Sequence, residues 1–397
     1  MGKEAEETHI EARPDPVSGN GSGAADGTAA GLADTLDVER SSAWRSRLAK
    51  VASVAAALFL FVLAIQLMKN GAGAIAPRLR ASGLFDNGVQ TLGVGWLGAY
   101  LVLSGSPVAV LALSLRSAHG LTELQTFTMI SGSRLGASFI VLLVGFIYAV
   151  RKRNREESLG MGVLALSIST ALYVPGMLVG YGILKAGILD GVNWTASGDV
   201  QSIIDVGWGW LVSAATDLLP LPLLLPLGLG VILVSFKLLD RVLPSIDSER
   251  QADTRGHWLR KPWPMFLLGC LACLLTLSVS VAITVLVPLA ARGYVDRKDA
   301  IPYIAGANIT TLADTLVAAM LLPDGGSSVQ VVLALAIAVT ILTLLMLAFA
   351  YRPLQRGIMA LDEWVVHTNR RLWLFVGVLF LVPVALMVAG GLIGPVG

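Results

Sequence analysis

SVSVAITVLVPLAARGYVDRKDAIPYIAGANITTLADT, Ser278 to Thr315, is an apolar stretch interrupted twice by small hydroxyl and amide residues. The first cluster is Ser278, Ser280 and Thr284, the second Asn308, Thr310 and Thr311. In an apolar surround such residues bind a guest best where the helix is broken, because unwinding frees backbone carbonyls and N–H groups. The stretch therefore reads as a transport site. An offset of 174 positions leads back to the stretch that starts at Ser104, where Ser104 and Ser106 match Ser278 and Ser280, and Gly132 matches Gly306. Only six of the 36 positions from Leu103 to Ser138 are identical to their partners, but the register has no gap and the polar breaks coincide. Matching interrupted segments in two halves point to a secondary transporter with its site at the repeat interface.

Composition agrees. The chain has 397 residues, 55% of them hydrophobic and 14% charged, with a mean hydropathy of +0.73. That excludes an ordinary soluble domain and predicts an all-α polytopic membrane protein. Residues 1–43 carry nine acidic and three basic side chains and few large apolar ones. Residues 1–44 are therefore expected to be a disordered acidic cytoplasmic tail. The first apolar run starts near Val51, too far in for a signal peptide, so the first helix is expected to act as a signal anchor. Cys270 and Cys273 form a C-x-x-C without further metal ligands nearby and read as small packing residues, so no metal site is expected.

Apolar runs of spanning length lie near Val51 to Met68, Leu124 to Val150, Gly160 to Leu184, Trp208 to Phe236, Ile301 to Leu322, Val329 to Ala350 and Leu372 to Gly394. Two more runs, Gln90 to Leu115 and Trp263 to Ala290, are broken in the middle, each either a crossing or a re-entrant hairpin. Lys and Arg favour the cytoplasmic side. Arg45, Arg47 and Lys50 place the start of the first span inside, and the cluster Arg151, Lys152, Arg153 and Arg155 stays inside only if Gln90 to Leu115 dips in and returns. Ala186 to Ile204, with no Lys or Arg, is external; Lys237 to Lys261 is cytoplasmic. The second broken run then enters from inside and returns to Arg292, Arg297 and Lys298. The expected architecture is two inverted repeats, residues 45–190 and 205–325, each with a re-entrant hairpin and a broken transmembrane helix, followed by two extra helices over 326–397.

Ser104, Ser106, Ser278 and Ser280 are expected ligand contacts because they pair across the two halves. Asn308 carries both donor and acceptor groups and is costly in lipid without partners. Arg134 stands at the equivalent first-half position, behind Ser131, Gly132 and Ser133, where a guanidinium needs an anion, a carboxylate or water. Asp314 is an intramembrane carboxylate in the second half, and the two breaks of an inverted repeat meet near the midplane. Arg134 and Asp314 are therefore expected to pair. Asp217 fits an interface, and His119 a solvated loop.

These residues resemble the sodium-dependent phosphate cotransporter family, whose two inverted repeats each carry a Q-S-S-S hairpin tip followed by a G-A-N-I-G-T-T break. Here the tips read LSGS (Leu103 to Ser106) and LSVS (Leu277 to Ser280), and the breaks GSRLGAS (Gly132 to Ser138) and GANITT (Gly306 to Thr311). Phe59 to Gly71 is also similar to the family's opening helix, so the likeness covers Val51 to Leu322. The resemblance implies that tip and break residues form phosphate and sodium sites, which makes Ser104, Ser106, Ser133, Arg134, Ser278, Ser280, Asn308, Thr310, Thr311 and Asp314 the candidates. Leu103 and Leu277 replace the family's glutamines, and Arg134 its first asparagine, so a fixed cation here can stand for one bound sodium or pair with an anion. The expectation is a secondary active transporter in the cytoplasmic membrane, N-terminus inside, for phosphate or a similar anion with sodium as coupling ion. No catalytic residue, resident cofactor or nucleic-acid partner is expected, and oligomeric state is left open. A paralogue exporting or sensing phosphate without sodium is the alternative. Ile130 to Ser138 also bears a faint likeness to the Ser-Arg motif of undecaprenyl pyrophosphate phosphatases, but only Glu123 stands near it where paired glutamates are needed.

Overall fold

A computed structural model describes residues 24–151, 155–242, 261–276, 278–292, 295–324 and 326–394. Lys152, Arg153 and residues 243–260, on which part of the charge argument rests, lie outside the described residues, as does Leu277. The described residues contain helices and no strand. The chain divides into two compact units, Met1–Ala52 and Ser53–Gly397.

In the first unit the described chain is helical from Ala24, within α1 (Ala24–Ala81). Disorder was expected up to residue 44, and residues 24–44 depart from that. Low apolarity removes a reason to bury this segment, but its Ala, Leu, Glu and Arg content without proline still favours helix. Residues 1–23 lie outside the described residues.

The second unit continues with α2 (Gly88–Val102), α3 (Ser106–Ser117), α4 (Glu123–Ala137), α5 (Phe139–Val150), α6 (Arg155–Lys185), α7 (Gly198–Leu218) and α8 (Leu224–Val242). It then has α9 (Pro262–Thr276), α10 (Val279–Thr284), α11 (Leu286–Ala291), α12 (Arg297–Thr310) and α13 (Leu312–Met320). The last three are α14 (Ser327–Leu345), α15 (Tyr351–Val366) and α16 (Asn369–Ile393). Among the described residues, six helical segments are long and apolar enough to cross a bilayer: Leu48–Ala81, Glu123–Val150, Arg155–Lys185, Leu221–Leu239, Ser327–Val366 and Asn369–Ile393. They support a multi-pass membrane protein.

One expected span is corrected. Trp208 to Phe236 is not one helix: α7 ends at Leu218, Leu219 is extended, and Pro220 and Pro222 lead through a short 3-10 turn into α8. Proline lacks the N–H for the ladder and pushes the residue before it out of the helical region. Ile301 to Leu322 is interrupted at Thr311 between α12 and α13, as Leu124 to Val150 is at Ser138 between α4 and α5.

The two broken runs do break where the polar residues stand. Between α2 and α3, Leu103 adopts a left-handed backbone (φ 56°), and Pro107 opens α3. Between α9 and α10, Ser278 is extended and its hydroxyl accepts from the Val281 N–H at 3.3 Å, capping the new helix. The second pair of expected breaks is different. Gly132, Ser133 and Arg134 lie within continuous α4, and Gly306 and Asn308 within α12; each helix is disturbed only one turn later, at Ser138 and Thr311, whose backbones stay right-handed. The glycines serve packing instead.

That packing recurs at a fixed offset. The paired helices α2 and α4 begin at Gly88 and Glu123, and α9 and α12 at Pro262 and Arg297, 174 positions later in each case. A Cβ on Gly95 would lie 2.1 Å from the Met129 carbonyl oxygen, and one on Gly269 2.0 Å from that of Tyr303. In return, a Cβ on Gly132 would meet the Leu92 oxygen at 2.1 Å, and one on Gly306 the Phe266 oxygen at 2.2 Å. Without side chains at these crossings the backbones touch, which is how membrane helices gain dispersion contacts in a solvent as apolar as themselves.

The C-terminal helices are tied to both sets. Asn87 caps α2 through its side-chain oxygen, while its amide donates to the Gly390 carbonyl of α16 at 2.7 Å. Arg297, opening α12, reaches Glu157 of α6 at 3.1 Å and the buried Asp362 of α15.

Candidate functional site

The candidate residues fall into three groups around α4 and α12. The innermost is built on Arg134, which is 1% exposed, and Asp314, which is 3% exposed. The Arg134 Nη2 stands 3.5 Å from Asp314 Oδ1, as the cost of leaving either charge alone requires. Around them is a shell of hydroxyls. Nη1 donates to Ser106 at 3.2 Å and to Thr311 at 3.0 Å, and Nη2 donates to Thr315. The Thr315 hydroxyl in turn donates to Asp314 Oδ1 at 2.9 Å. One guanidinium thus joins α3 and α4 to the α12–α13 junction. Two polar atoms have no partner among the described residues, Arg134 Nε and Asp314 Oδ2.

The second group faces a cavity of about 760 Å³. Leu103, Ser104 and Pro107 come to it from the break between α2 and α3, and Ser278, Ser280 and Thr284 from the break after α9. Residues 174 positions apart thereby share one lining. Tyr148 of α5 and Lys237 of α8 complete its polar groups. Ser278 is engaged in its local cap, whereas Ser280 makes a long 3.5 Å bond to the Ala137 carbonyl at the end of α4. The Thr284 hydroxyl is buried without a partner among the described residues.

Asn308 anchors the third group. Its Oδ1 accepts from Ser169 of α6 at 3.2 Å, its amide donates to the Ile304 carbonyl at 3.0 Å, and its own carbonyl accepts from Tyr173 at 2.6 Å. Ser169 also bonds Ser138 at 2.7 Å. Ser133 and Thr310 donate back to carbonyls of their own helices, Ile130 at 2.7 Å and Gly306 at 3.2 Å. Such back-bonding is the ordinary way for a hydroxyl to sit in an apolar helix, and neither residue belongs to the Arg134 group or the cavity lining.

The structure therefore joins Ser106, Arg134, Thr311 and Asp314 in one cluster, and Ser104, Ser278 and Ser280 around one cavity. The matched serines divide: Ser104 and Ser278 share the cavity, while Ser106 turns to Arg134 and its counterpart Ser280 does not. Sequence reasoning missed Thr315, Ser169, Tyr173, Tyr148 and Lys237. Only Thr315 carried a signal, being next to Asp314 in the quoted stretch.

A family model described as Na+/Pi-cotransporter matches residues 231–381. The match starts in α8 and ends in α16, so it takes in the second break, the Asn308 and Asp314 segments, and α14 and α15. No curated protein and no solved structure matches the chain.

Proposed function

From membership of the Na+/Pi cotransporter family, which the match over residues 231–381 supports, we propose that this protein is a secondary active transporter that carries phosphate, or a closely similar small anion, together with sodium across the cytoplasmic membrane. The observation that carries the reading is the cavity where Ser104 from one helix break faces Ser278 and Ser280 from the other. Hydroxyls and freed N–H groups at helix starts bind an oxyanion, and a site shared by two halves is the one that alternating access exposes to each side in turn. The family is one of transporters rather than enzymes, and the Arg134 segment is held by hydroxyls and one carboxylate rather than by paired glutamates.

The repeat reading draws on the reciprocal glycine contacts recurring at one offset. Charge supplies the inversion: with Arg151 and Arg155 inside, the first hairpin opens outward and the second inward, and the N-terminus is cytoplasmic. In this scheme residues 45–190 and 205–325 form the two repeats. Arg134 is a built-in cation among the hydroxyl oxygens of Ser106, Thr311 and Thr315, and stands for one sodium ion. Uptake of radiolabelled phosphate by proteoliposomes tests the reading. Accumulation should depend on an inward sodium gradient, but with a lower sodium stoichiometry than a relative with asparagine at this position. Flux that ignores sodium would favour the exporting or sensing paralogue instead, a reading that Leu103 in place of the family's glutamine supports.

A further inference from the structure

We infer that a proton carried by Asp314 is one of the coupling cations, taken up as the transported anion displaces the carboxylate from Arg134. The inference rests on the transport reading above and deepens it. Its basis is the incomplete bonding of the pair. Asp314 has one oxygen, Oδ1, turned to Arg134 and Thr315, and the other, Oδ2, buried with no partner among the described residues. Arg134 is similarly unfinished at Nε. Each orphan costs free energy in a low dielectric, and here both partners carry one, whereas in the Arg297–Asp362 tie only the carboxylate does. Here one open acceptor and one open donor remain on the two partners of a single pair, an arrangement suited to exchanging partners.

Charge fixes the order of events. With Arg134 positive and Asp314 negative the cluster is neutral. A monoanion bound to the guanidinium would leave it at minus one, which an apolar surround penalises heavily. A proton added to Asp314 Oδ2 restores neutrality and releases the guanidinium: carboxylate plus proton gives carboxylic acid, and arginine keeps its charge and pairs with the anion. Anion and proton then enter and leave together. The route in is short. Ser106, which holds Arg134, belongs to the same break as Ser104 and Pro107, which line the cavity, so a shift of this tip opens the guanidinium to the anion.

No nearby group competes for the role. Among the described residues, the other titratable side chains that interact with the pair are Tyr173 of α6, which donates to the Asn308 carbonyl, and Cys273 of α9. On α12, Tyr303 donates to the Ala282 carbonyl; Arg116 of α3 bonds the Leu121 carbonyl; and α14 holds no titratable residue.

The test uses the full chain in proteoliposomes with radiolabelled phosphate. Sodium is equal on both sides, the membrane potential is clamped, external pH is fixed, and accumulation is counted as the lumenal monoanion, from total label and lumenal pH, so that deprotonation of phosphate inside is not read as transport. Raising lumenal pH by about 1.5 units should increase wild-type accumulation several-fold over the arm without a gradient, with a ceiling of about 30-fold for one proton per anion, since 1.4 kcal/mol is tenfold. In D314N that ratio should fall to near one, whatever the absolute rate of the variant. A wild-type ratio near one, while a sodium gradient still drives uptake, overturns the proton assignment and leaves the transporter reading standing. So does a D314N ratio equal to wild type. If D314N does not fold, the wild-type arms alone decide the outcome. Absence of phosphate uptake under either gradient would overturn the transport reading itself, and this inference with it.

Discussion

Arg134 without Asp314, or Asp314 without Arg134, would be a lone charge in an almost wholly buried cluster. Breaking a buried pair from one side costs about 3–5 kcal/mol. Arg134→Ala and Asp314→Ala should therefore each lower the melting temperature in detergent sharply, and the double variant should recover part of the loss; additive effects would show that the pair is not coupled. The tip serines make a different prediction. A lost hydrogen bond to a charged ligand costs about 1.5–3 kcal/mol, so Ser280→Ala, which lines the cavity, should weaken phosphate binding without disturbing the fold. Calorimetric titration checks this, and unchanged affinity would remove the hydroxyl from the site. At this scale the sequence was informative wherever a residue was expensive in lipid. Arg134 and Asp314 were legible as partners because neither charge can stand alone there. Ser169, Thr315 and Tyr173 were not, since a hydroxyl in a membrane helix reads equally as packing, and Lys237 gave no hint of a cavity because its distance from Ser104 along the chain is bridged only by folding.

The helix pairs depend on glycines that allow backbone contact. In Gly95→Ala the added methyl meets the Met129 oxygen, and in Gly269→Ala that of Tyr303. Overpacking of this kind costs typically about 1–3 kcal/mol. Both variants should melt earlier, whereas Gly207→Ala in α7, whose Cβ would meet nothing within 4 Å, should melt as wild type; scanning fluorimetry in detergent reads all three. The breaks at Leu103 to Gly105 and at Ser278 were legible from serines and proline inside an apolar run. That the helices run on through Gly132 and Gly306 was not legible, because a glycine within a break and one that lets two backbones touch look alike without the partner helix. The continuous apolarity of Trp208 to Phe236 likewise hid a stop that Pro220 and Pro222 impose on the backbone.

For the whole chain, the proposed sidedness of the loops rests on the basic residues. With Cys270 and Cys273 replaced by alanine, a cysteine at position 191, where the glycine is exposed with open space around it, should label from outside in intact cells, and one at position 154 should not. Reversed labelling would overturn both hairpins. The count of spanning helices was largely visible as hydropathy, but the ties among them were not, because Asn87 and Gly390 are 303 residues apart. That separation bears on how the protein is made. The amide of Asn87 at the head of α2 has its partner on α16 only after nearly all of the intervening chain has left the ribosome. Throughout synthesis the first helix pair therefore stands without its final clamp, and the nascent chain depends on the insertion machinery to shelter that polar end until the last helix arrives.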